Sequence, residues 1–170
     1  MKKKLSSVIF LMLFVLTGCV KNELTTYTSA AKVEWDASTW NANAAGLTYP
    51  FLVKVPVPGA VTPGSQPNLT RTSGAVQLRV NLVGAQSSSD INFDYMVASA
   101  ESTAVSGKHF AAITGKGTIP AKSSFGMVTV NILDPGATSG SVDLVLQLID
   151  NSTIGASVNY AKVGLRIAQN

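Results

Sequence analysis

The sequence predicts an all-β fold, a two-sheet antiparallel β-sandwich of about seven or eight strands, placed behind an export signal. Three observations predict it. Apolar residues alternate with polar ones over short runs, turn residues separate those runs at short and fairly even intervals, and no run carries a convincing 3.6-residue period. A chain of 170 residues with 46% apolar content is about one domain long and rich enough in apolar side chains to bury a core.

The first element is the signal. Lys2, Lys3 and Lys4 precede an apolar run from Leu5 to Leu16, which ends at the small pair Thr17 and Gly18. A membrane-spanning helix needs about 20 apolar residues, and this run is shorter and gives way to Lys21, Asn22 and Glu23. Leu16-Thr17-Gly18-Cys19 resembles the lipobox cut by the bacterial lipoprotein signal peptidase. Cysteine suits that position because a thiolate can be alkylated by a diacylglycerol donor. Residues 1–18 are expected to be a lipoprotein signal peptide, and Cys19 the lipidated first residue of the mature chain. Several acyl chains at about 0.8 kcal/mol per buried methylene hold a protein on a membrane where one chain does not. Residues 19–30, polar and rich in Thr and Ser, read as the lipidated cysteine and a flexible tether. An outer-membrane location follows as an expectation, on the cell surface or the periplasmic face.

The folded domain is expected over 31–170. Its β-rich runs lie at about 31–36, 48–57, 75–84, 91–99, 116–120, 126–133, 141–149 and 160–168. The clearest alternation is in the third, where Val76, Leu78, Val80 and Leu82 face a core and Gln77, Arg79 and Asn81 face water. Val128-Thr129-Val130-Asn131-Ile132, the run from Val142 to Leu148, and Val163, Leu165 and Ile167 repeat it. Pro56, Pro58, Pro63 and Pro67 mark a long loop, because proline cannot donate to a sheet ladder.

Charge and cysteine content exclude several function classes. Without the signal lysines the chain has 10 Lys and Arg against 9 Asp and Glu, a net charge of +1, and no basic stripe suggests nucleic acid. Cys19 is the only cysteine, so neither an internal disulfide nor a cysteine-based metal site can form. His109 is the only histidine, no Gly-x-Ser-x-Gly elbow is present, and the acidic residues are scattered. No phosphate-cradling loop, zinc motif or dinucleotide fingerprint occurs. The chain is read as a non-enzyme with no cofactor and no metal.

The stretch Ser102-Thr103-Ala104-Val105-Ser106-Gly107-Lys108-His109-Phe110, then Gly117-Thr118-Ile119-Pro120-Ala121-Lys122, then Val128-Thr129-Val130-Asn131-Ile132, resembles a Calx-beta repeat. With Val80-Asn81-Leu82-Val83-Gly84 upstream, it is similar to Calx-beta-like domains on outer-membrane lipoproteins of Bacteroidota, over about residues 75–168. The resemblance implies an immunoglobulin-like sandwich. It also implies calcium binding through acidic loops, and there the chain departs from the pattern. His109-Phe110 stands where the family has Asp-Tyr, and Asp134 is all that remains of an acidic run. Calcium takes roughly six to eight oxygens, and no single loop gathers several carboxylates. Asp90, Asp94, Glu101 and Asp134 are read as solvated strand-end charges, with convergence in space as the alternative.

Trp40 and Tyr49 are candidates for stacking on sugar faces, while Trp35, in the alternating Val33-Glu34-Trp35, is read as core. The functional reading is a non-enzymatic cell-envelope lipoprotein, a binding or protein-interaction module at the outer membrane. The alternative is a glycan-binding accessory of a polysaccharide-uptake system. Its partners are the membrane, through the lipid anchor, and an envelope protein or a glycan.

Overall fold

Among the described residues, alternating burial puts nine short strands into two layers. These are β1 (Lys32–Trp35), β2 (Phe51–Val55), β3 (Ala75–Val83), β4 (Ile91–Val97), β5 (Lys116–Ile119), β6 (Phe125–Asn131), β7 (Ser141–Ile149), β8 (Gly155–Ala156) and β9 (Lys162–Ala168). The structure, a computed structural model, describes residues 29–37, 44–60 and 71–169. Among them there is no α-helix, and a 3-10 turn spans Arg71–Ser73. Each expected β-run overlaps one of these strands, and β8 is the addition.

One sheet has the order β6-β3-β1-β8 and the other β2-β9-β7-β4-β5. Val76, Leu78, Val80 and Leu82 point inward from β3, as their spacing predicts, and Val128 and Val130 do so from β6. They meet Phe93, Leu144, Leu146, Leu148 and Leu165 of the facing sheet in one core. Trp35 is 1% exposed, its ring edge-on to Tyr95 at 6.3 Å and its Nε1–H donating to the Ala161 carbonyl at 2.9 Å. That hydrogen bond removes the cost of burying the indole nitrogen.

The sheets are mixed where a purely antiparallel sandwich was expected. β1 runs parallel to β8, and β2 parallel to β9. A two-residue alternation tells which face a side chain occupies and nothing about the direction of the neighbouring strand. The chain leaves β1 in one sheet and enters β2 at the edge of the other, beside the last strand, so the pairing joins segments distant in sequence.

Alternation also breaks in one row. Leu52, Gly164 and Val145 are register neighbours on the outer face of the larger sheet, and all three are buried. The segment before β2 folds over this row: its Ala44 and Tyr49, with Ala98 from the end of β4, close a second, smaller core with Leu52 and Val145. Gly164 makes room for the Tyr49 ring, since a methyl group there would lie 2.3 Å from a ring carbon.

A candidate binding groove beside the sheet crossover

The structure disperses most of the residues that the sequence singles out. Cys19 and Trp40 lie outside the described residues, as does most of the expected tether. Tyr49 is 5% exposed, so in this structure its ring offers no face to a sugar. Its hydroxyl is buried beside the Asp143–Arg166 ion pair and makes no hydrogen bond of normal geometry. Burial, with the nearby Asp143 carboxylate second, pushes the Tyr49 pKa up.

The candidate acids hold local partners. Asp90 accepts from the Ala121 N–H at 2.8 Å, Asp94 pairs with Lys116 at 3.0 Å, and Asp134 accepts from the Gly136 N–H at 2.9 Å. Glu101 pairs with Lys162 and accepts from the Thr48 hydroxyl. The hydrogen bond from Lys162, then that from Thr48, holds its carboxyl below the usual range. Among the described residues no three His, Cys, Asp or Glu side chains come together as a metal site would need.

His109 sits in a turn and is buried. Its Nδ1 accepts the Val105 N–H at 2.9 Å, and its carbonyl accepts the Leu133 N–H at 2.9 Å. A nitrogen that accepts is unprotonated, so the ring is neutral here. Burial is the main cause that lowers its pKa, and the charge on Lys108 adds to it. This arrangement ties two loops together and leaves no basic nitrogen facing a nucleophile.

What the chain assembles instead is an open groove of about 540 Å³, a size within the ~300–1,000 Å³ of small-ligand sites. It forms where the chain passes from β8 in one sheet to β9 in the other. Gln147 and Asp150 line it from the end of β7, Lys32 from the start of β1, and Lys162 from the start of β9. Thr48 lines it ahead of β2, and Ser157 and Asn159 belong to the crossing loop.

Hydrogen bonds fix that loop to both layers. The Ser157 N–H donates to the Val33 carbonyl at 2.8 Å, the Trp35 N–H to the Tyr160 carbonyl at 3.0 Å, and the Leu148 N–H to the Ala161 carbonyl at 2.8 Å. Its tip is presented outward: Val158 is 88% exposed and Tyr160 41%. The Tyr160 ring stacks on Phe51 at 5.3 Å, with 9° between the planes. The Lys162 ammonium is set by Glu101, which Thr48 holds in turn, and the Asp150 Oδ1 accepts the Ala156 N–H at 2.7 Å. Sequence reading missed this site because its members are scattered from Lys32 to Lys162 and no two share a motif. The only local signal was the polar Ser157-Val158-Asn159-Tyr160 break before the last strand.

No protein-family model matches the sequence, and no curated protein matches it. Solved structures match its shape. The apo-form Calx CBD1 domain is 11% identical, with 84% of this chain covering 99% of that one at a TM-score of 0.53. A two-domain protein of unknown function from Bacteroides fragilis is 8% identical, with 83% of this chain covering 46% of that one at 0.52. The calcium binding domain CBD12 of CALX1.1 is 14% identical, with 69% of this chain covering 42% of that one at 0.50. The chain thus spans under half the length of the latter two. At these identities the likeness shows the fold, a Calx-beta-like β-sandwich, and the groove's chemistry must be argued from its own residues.

Proposed function

We propose that the chain is a non-enzymatic binding module of the cell envelope, held on the outer membrane through a lipid on Cys19. The observation that carries the binding role is the groove beside the sheet crossover: a concave, polar-lined surface with an exposed rim, held rigidly between two sheets. The buried, neutral His109 and the dispersed acids fit binding better than catalysis, because catalysis needs acids, bases or nucleophiles converging on one point. The lipobox-like Leu16-Thr17-Gly18-Cys19 supports the anchor, and Lys32, the first residue of β1, brings the chain from that anchor to the groove.

Membrane fractionation of wild type and Cys19→Ala, with protease shaving of intact cells, tests the anchor. A photo-crosslinking residue at position 158 tests the binding surface. Cys19-dependent membrane retention and a discrete adduct from position 158 are the expected results. A wild-type chain that fractionates as soluble refutes the anchor, and a position 158 without adducts or bound ligand refutes the groove as the binding surface.

A further inference from the structure

The groove, the start of β1 and the most exposed large apolar side chain among the described residues lie at one end of the sandwich. Twelve residues, Val20 to Ala31, join Cys19 to Lys32. Even fully extended they reach no more than about 45 Å. Lys32 opens β1 and lines the groove, and the next residue, Val33, accepts the Ser157 N–H, so the crossing loop stands beside the chain's point of entry. On that loop Val158 is 88% exposed, between the polar Ser157 and Asn159. A lipid on Cys19 would therefore keep this end of the domain within reach of the bilayer surface.

The charges that line the groove come as an unjoined pair. Lys162 is bound to Glu101, which leaves Lys32 and Asp150. Neither belongs to an ion pair among the described residues. Both lie against Gly155: Lys32 is its register partner, and the Asp150 Oδ1 is 3.5 Å from where a Cβ on it would be. That oxygen accepts the Ala156 N–H at 2.7 Å, and the second carboxylate oxygen has no such bond among the described residues. A ligand of one sign would meet one of these charges and be repelled by the other, whereas a zwitterion answers both. Thr48, Gln147, Ser157 and Asn159 add neutral donors and acceptors. Among the described residues no aromatic ring lines the space, so it offers neither a platform for a sugar face nor a cage for a quaternary ammonium. A primary ammonium, which can donate to a carboxylate, fits instead.

We infer that the groove holds the phosphoethanolamine headgroup of a phospholipid in the bilayer to which the chain is tethered. Lys32 donates to the phosphate, and the ammonium of the headgroup donates to the open Asp150 oxygen. The amides of Gln147 and Asn159 bond the phosphate and ester oxygens, and Val158 enters the apolar boundary beneath the headgroups. This names the ligand of the binding-module reading and rests on that reading and on the lipid anchor. A millimolar affinity suffices, because the tether holds the groove at a surface dense in headgroups.

The test uses the full lipidated chain in vesicles of phosphatidylethanolamine and phosphatidylcholine. With Cys19 acylated, Val158→Cys supplies a single free thiol for an environment-sensitive fluorophore. Val105→Cys is the control, at a 55% exposed position in the turn at the other end of the sandwich. Blue-shifted emission, quenched by brominated lipid, is expected at 158 and not at 105. In micelles of a neutral detergent, glycerophosphoethanolamine should bind saturably at about 1–10 mM, followed through the side-chain amide NMR signals of Gln147 and Asn159. Glycerophosphate, which lacks the ammonium, should bind about fivefold more weakly, as should the zwitterion to Lys32→Gln or Asp150→Asn at unchanged urea midpoint. A label at 158 that stays in water while the chain floats with the vesicles overturns the inference. Equal binding of the two headgroups, or indifference to either charge variant, does the same. A position-158 adduct with an envelope protein in place of phospholipid also overturns it and leaves the binding-module reading standing, whereas a chain that does not float with the vesicles refutes the anchor itself.

Discussion

Gly164→Ala puts the burial of Tyr49 to a quantitative test. Nothing about the backbone at Gly164 requires glycine, because its φ lies outside the left-handed region. The constraint is space: the added methyl would lie 2.3, 2.5 and 2.8 Å from three atoms of Tyr49. Overpacking of this kind costs about 1–3 kcal/mol. Truncating the ring by Tyr49→Ala should cost about 3 kcal/mol, as for other large buried aromatics. Once the ring is gone the methyl has room, and alanine then gains roughly 0.5–1 kcal/mol over glycine in a strand. The second substitution should therefore be favourable in the Tyr49→Ala background, giving a coupling of roughly 1.5–4 kcal/mol. Urea unfolding of the wild type, both single variants and the double variant, followed by tryptophan fluorescence, measures it. Costs that add to within about 0.3–0.5 kcal/mol would refute the contact and free the ring for a surface role.

Arg71 ties the end of β9 to the segment just after β6, its guanidinium donating to the Ala168 carbonyl at 2.7 Å and the Leu133 carbonyl at 2.9 Å. Arg71→Ala should cost roughly 2–4 kcal/mol, and Arg71→Lys, which cannot span both carbonyls, most of the same, read as thermal midpoints lowered by about 5–15 °C. His109 makes stability depend on pH in a defined direction. Its folded pKa lies below the ordinary 6.5, so the unfolded chain binds the extra proton first; stability is full above 6.5 and falls as pH drops below it. His109→Gln, whose amide oxygen can still accept the Val105 N–H, should abolish that part of the slope in urea midpoints measured across this range. Gly117→Ala should destabilise by about 1–3 kcal/mol, because the methyl would meet the buried Phe93 ring at 2.2 Å.

The strands were legible where a single face is buried. Val76, Leu78, Val80 and Leu82 alternate with polar residues because the outer side of β3 faces water, and the register follows from the pattern. Legibility failed where the second face is covered as well. Leu52, Gly164 and Val145 break the alternation because Tyr49 lies across them, and the segment that carries Tyr49 has no period of its own to announce it. β8 escaped notice because two residues cannot display a period. The parallel neighbours of β1 and β2 are set by the crossovers, which a per-strand pattern does not encode. Arg71 reads in sequence as an ordinary exposed cation; only the folded chain shows two carbonyls converging on it.

The two sides of the sandwich explain why a filled core still leaves a groove. On one side β5 and β6 press together: a methyl group on Gly126 would lie 2.2 Å from the Thr118 carbonyl oxygen, so the layers are in backbone contact and nothing can enter. On the other side the small sheet ends in the two-residue β8, and the large one ends in β2. A strand that short cannot extend the layer, so the chain completes the edge with a loop bonded to β1 and β7, and the space beside that loop stays open. Of the side chains there, Lys32 and Gln147 take outward positions of β1 and β7 and Asn159 belongs to the loop, so none of the three is part of the core. Lys32, Gln147 and Asn159 can therefore vary without cost to the fold, which makes that edge the natural place for specificity to reside.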